Sequence, residues 1–239
     1  MSNKIIRQLP NTCTCLNLFS GCIATIMAYD RAYEAALAFM LLSAFFDFCD
    51  GMLARMLHAY SPLGKELDSL ADDVSFGVAP AMVVFSLLHE VAYPAYLANL
   101  QTYIPYLAFT IAVFSALRLA KFNTDERQSS SFIGLPTPAN AVFWGASAVG
   151  AHHIFVSPSF NALYLLAMII LSAWLLVAEI PMFSLKFKTF SWKENRLQWI
   201  FLLGCLLLVI SLHAGGFAAC VLWYILLSLL PLTRAKNKV

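Results

Sequence analysis

The chain alternates between long apolar runs and short polar segments. Most apolar runs are roughly 17 to 25 residues long, the length that a helix needs to cross a bilayer, and they lack the polar stripe of a surface helix. They are also continuous, whereas the strands of a membrane barrel alternate between polar and apolar residues. The pattern therefore predicts an all-α integral membrane protein with about eight transmembrane helices. The predicted spans are 15–29, 33–56, 62–88, 103–122, 139–156, 161–182, 198–213 and 216–232.

The composition agrees with a membrane protein, because 61% of the 239 residues are hydrophobic, 12% are charged and the mean hydropathy is +0.75. With these spans, fourteen of the fifteen lysines and arginines fall on one side of the membrane, and only Arg31 falls on the other. Positive residues concentrate in cytoplasmic segments. We therefore expect a multi-pass protein of the cell (inner, cytoplasmic) membrane with both termini in the cytosol. The basic rim also favours contact with anionic membrane lipids.

Acidic residues are concentrated in one short stretch, residues 47–73, which carries six of the thirteen. Asp47 and Asp50 are three residues apart near the cytosolic end of the second span, so both project from one helix face. Asp68 and Asp72 are four residues apart near the start of the third span, and they also share a face. The short connection contains Ser-Pro and Gly, which favour a chain reversal. The two acidic faces are therefore expected to meet across an antiparallel hairpin.

Four carboxylates that converge at membrane depth cannot all remain ionised and unpaired. Two divalent cations would resolve the repulsion. Ligation by oxygen alone indicates hard ions, namely Mg²⁺ or Mn²⁺, with Ca²⁺ as an alternative. Two metals bridged by shared carboxylates are the usual arrangement for displacement at phosphorus. A divalent-cation transport site is the alternative, although transport requires a polar path to both sides and these acids lie toward one face.

Small and basic residues between the acids favour a phosphate ligand. Gly51 and Ala54 lie one turn apart on the second span and leave room against the helix. Gly64 removes a side chain at the entrance of the third span. Arg55 offers a bidentate cation for a phosphate group. The hairpin is therefore suited to a nucleotide ligand.

Together these residues form the pattern D-x2-D-G-x2-A-R-x8-G-x3-D-x3-D, which begins at Asp47 and ends at Asp72. The pattern resembles the signature of the CDP-alcohol phosphatidyltransferases, which are membrane enzymes with a six-helix core and are often homodimeric. The resemblance implies transfer of a phosphatidyl group from CDP-diacylglycerol to an alcohol with release of CMP, and no nucleic-acid partner. It also implies a six-helix core domain over residues 1–182 and a two-helix C-terminal extension over residues 183–239.

The resemblance implies a role for each residue of the pattern. Asp47, Asp50 and Asp68 would bind one metal, and Asp47, Asp68 and Asp72 would bind the second. Asp72 would also act as the base that accepts the proton of the alcohol. No serine, cysteine or histidine stands at a position of the pattern, which favours direct displacement over a covalent intermediate. The CDP-diacylglycerol site would be lined by Asp47, Asp50, Gly51, Ala54, Arg55, Gly64 and Asp68.

Two further stretches resemble the branch of the family that uses L-serine as the acceptor, LDSLADDVSFGVAPA (67–81) and RLAKFNTDERQSSSFIGLPTPAN (118–140). Serine carries an ammonium and a carboxylate, so its site needs a cation, an anion or carbonyl, and amides. Arg118 and Asn123 are the candidates for serine binding. Gly134 and two prolines are expected to turn the loop back over the metal site as a lid. Another acceptor alcohol, or an ether-linked archaeal-type donor lipid, is the alternative.

Overall fold

The computed structural model describes residues 8–125, 132–183, 192 and 195–229. Within these ranges the chain is mostly helical, because in lipid the backbone must satisfy its own hydrogen bonds. The α-helices in chain order are α1 (Leu9–Tyr29), α2 (Tyr33–Met56), α3 (Pro62–Asp73), α4 (Ala79–Leu88), α5 (Thr110–Thr124), α6 (Thr137–Gly150), α7 (His152–Phe155), α8 (Ala162–Val177), α9 (Arg196–Leu212) and α10 (Ala214–Leu229).

Three short elements join or tie these helices. A π-helical turn, Val74–Val78, links α3 to α4, so that one continuous helix runs over Pro62–Leu88. Two 3₁₀ helices, Ala95–Leu100 and Ile104–Phe109, lead from α4 into α5. In the described ranges the only strands are β1 (Phe132–Ile133) and β2 (Pro181–Met182), which pair antiparallel with Phe132 opposite Met182.

Four helical stretches are long and apolar enough to cross a membrane, and three further apolar helices, α8, α9 and α10, are shorter. Many of their large apolar side chains are exposed, as expected of a surface that faces lipid. The predicted class, an all-α multi-pass membrane protein, is confirmed, whereas the number of eight spans stays a prediction. The four long stretches are Leu9–Tyr29, Tyr33–Met56, Pro62–Leu88 and Ile104–Thr124.

Helix ends differ from the predicted spans where the chain carries a local break. The fifth predicted span is interrupted at Ala151, between α6 and the single turn α7. The sixth ends at Val177, because the chain turns into β2, where Pro181 cannot continue a helix. Between the last two helices, His213 adopts a left-handed conformation with φ 51°, so the connection is a tight turn.

The turn between α2 and α3 is built from local hydrogen bonds. His58 adopts a left-handed conformation with φ 51° just after α2, and the amide of Ala59 bonds back to the carbonyl of Ala54 at 3.0 Å. Ser61 then caps α3, since its Oγ accepts a hydrogen bond of 2.9 Å from the amide of Gly64. The chain therefore reverses where the sequence predicted. Helix α1 packs against both α2 and α3 and so joins the two arms of the hairpin.

The main apolar core lies beyond the acidic residues along the helices, with Met40, Phe76 and Trp144 among its largest fully buried side chains. At the far end of this core, Glu90 accepts a hydrogen bond from the hydroxyl of Tyr33 and lies 2.7 Å from Nε2 of His152. This polar group ties the ends of three segments together. It lies at the opposite end of the 62–88 helix from the acidic cluster.

Of the two C-terminal helices, α10 contacts the rest of the bundle closely, and α9 packs mainly against α10. Helix α10 packs against α6, and a Cβ atom on Gly150 would lie 2.2 Å from Cα of Gly215. Only glycine at position 150 allows the two backbones to approach so closely. The proposed division into residues 1–182 and 183–239 stays a prediction.

Candidate active site

Acidic residues of α2 and α3 meet at one end of the bundle. Asp47, Asp50 and Asp68 each offer one carboxylate oxygen, and these three oxygens lie within 4.8 Å of one another. Asp50 is buried and the other two are half-buried. Oδ1 of Asp68 is buried and has no hydrogen-bond partner among the described residues. Gathered carboxylate oxygens, one of which lacks a donor, fit a divalent cation, because a hard cation is bound by oxygen and offsets the cost of burying charge.

Asp72 lies beside this group but outside the set of three. Its charge interacts with the charges of Asp47 and Asp68, and its Oδ1 accepts a hydrogen bond of 3.0 Å from Nδ2 of Asn17. The sequence predicted four converging acids. The structure brings three of them within 4.8 Å and places the fourth next to them, held by α1. The metal-binding and base roles of these residues stay predictions.

Helix α1 supplies two polar partners that the sequence analysis missed. Oγ1 of Thr14 donates a hydrogen bond of 2.7 Å to Oδ2 of Asp50, and Asn17 donates to Asp72. The two residues are three positions apart and therefore share a helix face. Their spacing was the only local signal, and it was weak, because α1 also carries Asn11, Ser20 and Thr25. Their partners are 36 and 55 positions away, so the sequence does not reveal what they contact.

A cleft of about 270 Å³ opens beside the carboxylates, close to the lower end of the size of ligand pockets. The residues predicted to line the CDP-diacylglycerol site converge on this cleft, and all of them except Asp47 line it. They are Asp50, Gly51, Ala54, Arg55, Gly64 and Asp68. The sequence analysis did not predict Pro10, Thr14, Tyr60 and Lys65 as further lining. Pro10 and Thr14 lie on α1, which reaches the cleft only through the tertiary fold, whereas Tyr60 and Lys65 lie within the hairpin itself.

Arg118 and Asn123, the candidates for serine binding, take different positions. Arg118 on α5 is only 7% exposed, its charge interacts with that of Asp72, and its guanidinium lies 5.2 Å from the ring centroid of Phe122. Asn123 donates a hydrogen bond of 2.7 Å to Oγ of Ser69 and so ties the end of α5 to α3. The structure thus places Arg118 near the acidic residues and uses the Asn123 side chain between helices. Serine binding by both stays a prediction.

The loop that was predicted to form a lid is described in part, since residues 126–131 lie outside the described ranges. Gly134 has φ +78°, a conformation that favours glycine. Its amide bonds to the carbonyl of Ile180, and the amide of Leu135 bonds to the carbonyl of Leu175, each at 2.9 Å. These bonds anchor the second half of the loop to the end of α8. A lid over the metal site stays a prediction.

The fold and the site together define a class of protein: a helical membrane protein with clustered carboxylates beside a cleft. The profile of the family described as CDP-alcohol phosphatidyltransferase matches residues 7–185. This match covers well over half of the chain, and the chain therefore belongs to the CDP-alcohol phosphatidyltransferase family. The resemblance seen in the sequence is confirmed, and the protein is a membrane transferase of phospholipid biosynthesis.

Several curated proteins are similar to the chain. The CDP-diacylglycerol--serine O-phosphatidyltransferase of Bacillus subtilis is 36% identical over 134 residues, which cover 56% of this chain and 71% of the relative. The protein of the same name from Mycobacterium leprae is 35% identical over 144 residues, 57% of this chain and 45% of the relative. The archaetidylserine synthase of Methanothermobacter thermautotrophicus is 35% identical over 139 residues, 56% of this chain and 54% of the relative. The matched region thus spans about half the length of the last two proteins.

Proposed function

We propose that the chain transfers the phosphatidyl group of CDP-diacylglycerol to the hydroxyl of L-serine, giving phosphatidylserine and CMP. The observation that carries the proposal is the group of three carboxylate oxygens within 4.8 Å, contributed by Asp47, Asp50 and Asp68. The adjacent cleft carries Arg55, which suits a diphosphate. The names of the Bacillus and Mycobacterium relatives support serine as the acceptor.

Two divalent cations, Mg²⁺ or Mn²⁺, would be held by the aspartates. Asp47, Asp50 and Asp68 would ligate one cation, and Asp47, Asp68 and Asp72 would ligate the other. The buried Oδ1 of Asp68, which has no partner among the described residues, supports this assignment. When bound, the cations would stabilise negative charge on the phosphate oxygens of the donor and of the leaving group.

The chain's own residues would position the acceptor and move its proton. Asn17 already occupies Oδ1 of Asp72 with a hydrogen bond, so the proton of the serine hydroxyl would pass to Oδ2. The serine oxygen would then form a bond to the phosphatidyl phosphorus as the bond between that phosphorus and the CMP oxygen breaks. Arg55 would balance the charge on the departing CMP. Positioning and electrostatics would supply most of the rate, as in phosphoryl transfer generally.

The residues around the cleft favour direct displacement over a covalent intermediate. The described lining contains neither cysteine nor histidine. Its two hydroxyl groups from serine and threonine already have structural partners: Ser61 caps α3 and Thr14 bonds to Asp50.

We further infer that the protein lies in the inner (cytoplasmic) membrane with both termini and the active site on the cytosolic side, on the strength of the lysine and arginine distribution. The same family membership favours a homodimer. It also favours a catalytic core over residues 1–182, with residues 183–239 as an extension.

An archaeal-type donor lipid is the second candidate, because the archaetidylserine synthase is 35% identical to the chain, close to the value for the Bacillus relative. Divalent-cation transport has weaker support. A fully buried apolar layer that includes Met40, Phe76 and Leu87 lies between the acidic cluster and the polar group around Glu90. A cation crossing the bundle would have to pass this layer without ligands.

The test is CMP release by the purified protein from CDP-diacylglycerol with Mn²⁺ or Mg²⁺. Serine, glycerol 3-phosphate, inositol phosphate and choline are offered in turn, with Asp72→Asn as the inactive variant and the exposed Glu66→Gln as its matched control. Release that depends on serine, is lost in Asp72→Asn and is retained in Glu66→Gln would support the proposal. Release with another acceptor would overturn the choice of serine, and no release with any acceptor would overturn the transfer reaction.

A further inference from the structure

The cleft beside the carboxylates follows both arms of the α2–α3 hairpin from the acids to the turn. Asp50 lies six residues before the last residue of α2, and Asp68 lies six residues after the first residue of α3. Each arm therefore rises roughly 9 Å between its acid and the turn. The turn residues Ala59, Tyr60 and Ser61 line the cleft where the two arms join.

Arg55 directs its charge toward the acidic end of this cleft. A Cβ atom on Gly51 would lie 3.5 Å from Nη1 of Arg55 and 3.9 Å from its Nη2, so the guanidinium folds back along α2 over Gly51, the chain neighbour of Asp50. Lys65 also lines the cleft, but its Nζ donates a hydrogen bond of 3.3 Å to the carbonyl of Asn123 on α5. The lining contributed by the turn itself is uncharged.

Tyr60 presents an aromatic ring at this uncharged end. The residue is 73% exposed, and in the described part of the chain it makes neither a hydrogen bond nor a ring contact. Its backbone is held on both sides, because the amide of Ala59 bonds to the carbonyl of Ala54 at 3.0 Å and Ser61 caps α3. The ring is therefore carried on a fixed turn and is uncovered. Such a ring is suited to contact with another flat ring.

The cleft matches a nucleotide in size and in polarity. Its volume of about 270 Å³ is just below the roughly 300–1,000 Å³ of ordinary ligand pockets. The cleft can therefore hold the nucleotide part of CDP-diacylglycerol, while the acyl chains would lie in the surrounding lipid. A nucleotide carries its charge on the phosphates and a flat, uncharged base at the other end of the ribose. The acids and Arg55 lie at one end of the cleft, and Tyr60 lies at the other.

We propose that Tyr60 binds the cytosine base of the donor by stacking its ring on the base. The proposal rests on the proposed function, since it takes a CDP-activated lipid as the donor and the acids as the site of its diphosphate. Tyr60 stands at an unspecified position of the eight-residue pattern, so the family resemblance assigns it no role. Every base has a π face, and stacking on an aromatic side chain stabilises it. The ring of Tyr60, and not its hydroxyl group, would therefore contribute the affinity.

The test measures the Kd of CDP and of inorganic pyrophosphate for the purified protein by calorimetry with excess Mg²⁺. Pyrophosphate has two phosphates, as CDP has, but no base. Tyr60→Leu keeps an apolar side chain and removes the ring. It is expected to raise the Kd for CDP about fivefold or more, as for loss of one stacked base, and to leave the Kd for pyrophosphate within about twofold. Tyr60→Phe keeps the ring and should stay near the wild-type value for both ligands.

Tyr103→Leu, which removes an exposed ring near the opposite end of the bundle, is the matched control and should bind CDP as the wild type does. An unchanged Kd for CDP in Tyr60→Leu, as expected of a side chain that only anchors the protein at the membrane surface, would overturn the inference. Equal losses for CDP and pyrophosphate would indicate a distorted turn and would also overturn it. An equal loss in Tyr60→Phe would do the same, because it would assign the effect to the hydroxyl group.

The wild-type protein separates this inference from the proposed function. Wild-type protein that binds CDP, but releases no CMP from CDP-diacylglycerol with any acceptor, would defeat the proposed function alone. Wild-type protein that binds no CDP would defeat both the base site and the proposed donor.

Discussion

The side-chain amide of Asn17 on α1 donates a hydrogen bond of 3.0 Å to Oδ1 of Asp72 on α3. Asn17 is fully buried, and its backbone carbonyl accepts hydrogen bonds from the hydroxyls of Ser43 and Ser75, each at 3.1 Å. These bonds hold α1 against α2 and against the 62–88 helix, which carry the acidic residues. The orientation of the proposed base therefore depends on a helix that contributes no residue to the acidic pattern.

Replacement of Asn17 by alanine is expected to lower kcat for CMP release about 10- to 100-fold, because Asp72 loses a hydrogen bond to a charged group. The KM for CDP-diacylglycerol should change little, since Asn17 does not line the cleft. Steady-state kinetics with varied donor measure both constants. Thr25→Ala, which removes a half-buried hydroxyl farther along α1, is the control. An unchanged kcat in Asn17→Ala would show that Asp72 does not need this partner.

Replacement of Thr14 by valine keeps the shape of the side chain and removes the hydroxyl that donates to Asp50. We expect the concentration of Mn²⁺ or Mg²⁺ for half-maximal CMP release to rise about tenfold or more, as when a residue that orients a metal ligand is lost. Thr14→Ser keeps the hydroxyl and should stay near the wild-type value. An impaired serine variant beside a normal valine variant would mean that the methyl group, and not the hydrogen bond, matters.

Removal of divalent cations with EDTA is expected to abolish CMP release, and Mn²⁺ or Mg²⁺ should restore it. Because a ligand that binds only the native state stabilises it, Mn²⁺ should also raise the melting temperature of the purified protein. Asp47→Asn should lose most of this shift, whereas Glu34→Gln, an exposed acid in the first turn of the same helix, should keep it. Equal shifts in both variants would place the cation elsewhere.

The contact between α6 and α10 allows a paired test of packing. A Cβ atom on Gly150 would lie 2.2 Å from Cα of Gly215, whereas a Cβ atom on Gly215 would lie 3.4 Å from Cα of Gly150. Gly150→Ala is therefore expected to lower the free energy of unfolding by about 1–3 kcal/mol through overpacking. Gly215→Ala should have a smaller effect in thermal unfolding in detergent. Equal losses would show that this backbone contact does not limit stability.

Glu90 is expected to stabilise the end of the bundle that lies away from the active site. Its carboxylate accepts a hydrogen bond from the hydroxyl of Tyr33. It lies 2.7 Å from Nε2 of His152 and 3.6 Å from Nε of Arg31. Glu90→Gln should lower the free energy of unfolding by about 1–3 kcal/mol, because these donors lose a charged acceptor. The KM for each substrate should remain unchanged. Asp30→Asn, an exposed acid at the same end, is the control, and an equal loss of stability there would contradict the prediction.

Residues within one helix could be related to each other from the sequence. The spacings of Asp47 to Asp50 and of Asp68 to Asp72 place each pair on one helix face, and the structure retains these helices. The Ser-Pro turn before Gly64 was also predictable, because its hydrogen bond spans only three residues. The contact that the Asn123 side chain makes could not be predicted from the sequence. Its side chain bonds to Ser69 across 54 positions, and no local pattern indicates that partner.

The sequence by itself determined the helical membrane class, the family and the acidic pattern, because run length, hydropathy and helix periodicity are local properties. Only the tertiary structure decided that α1 supplies Thr14 and Asn17 to the acids, and that Asp73 faces α5 across Gly77. These relationships depend on which helix faces pack together. Apolar faces in a membrane resemble one another in sequence, so close packing and the pairing of buried polar groups select the neighbours.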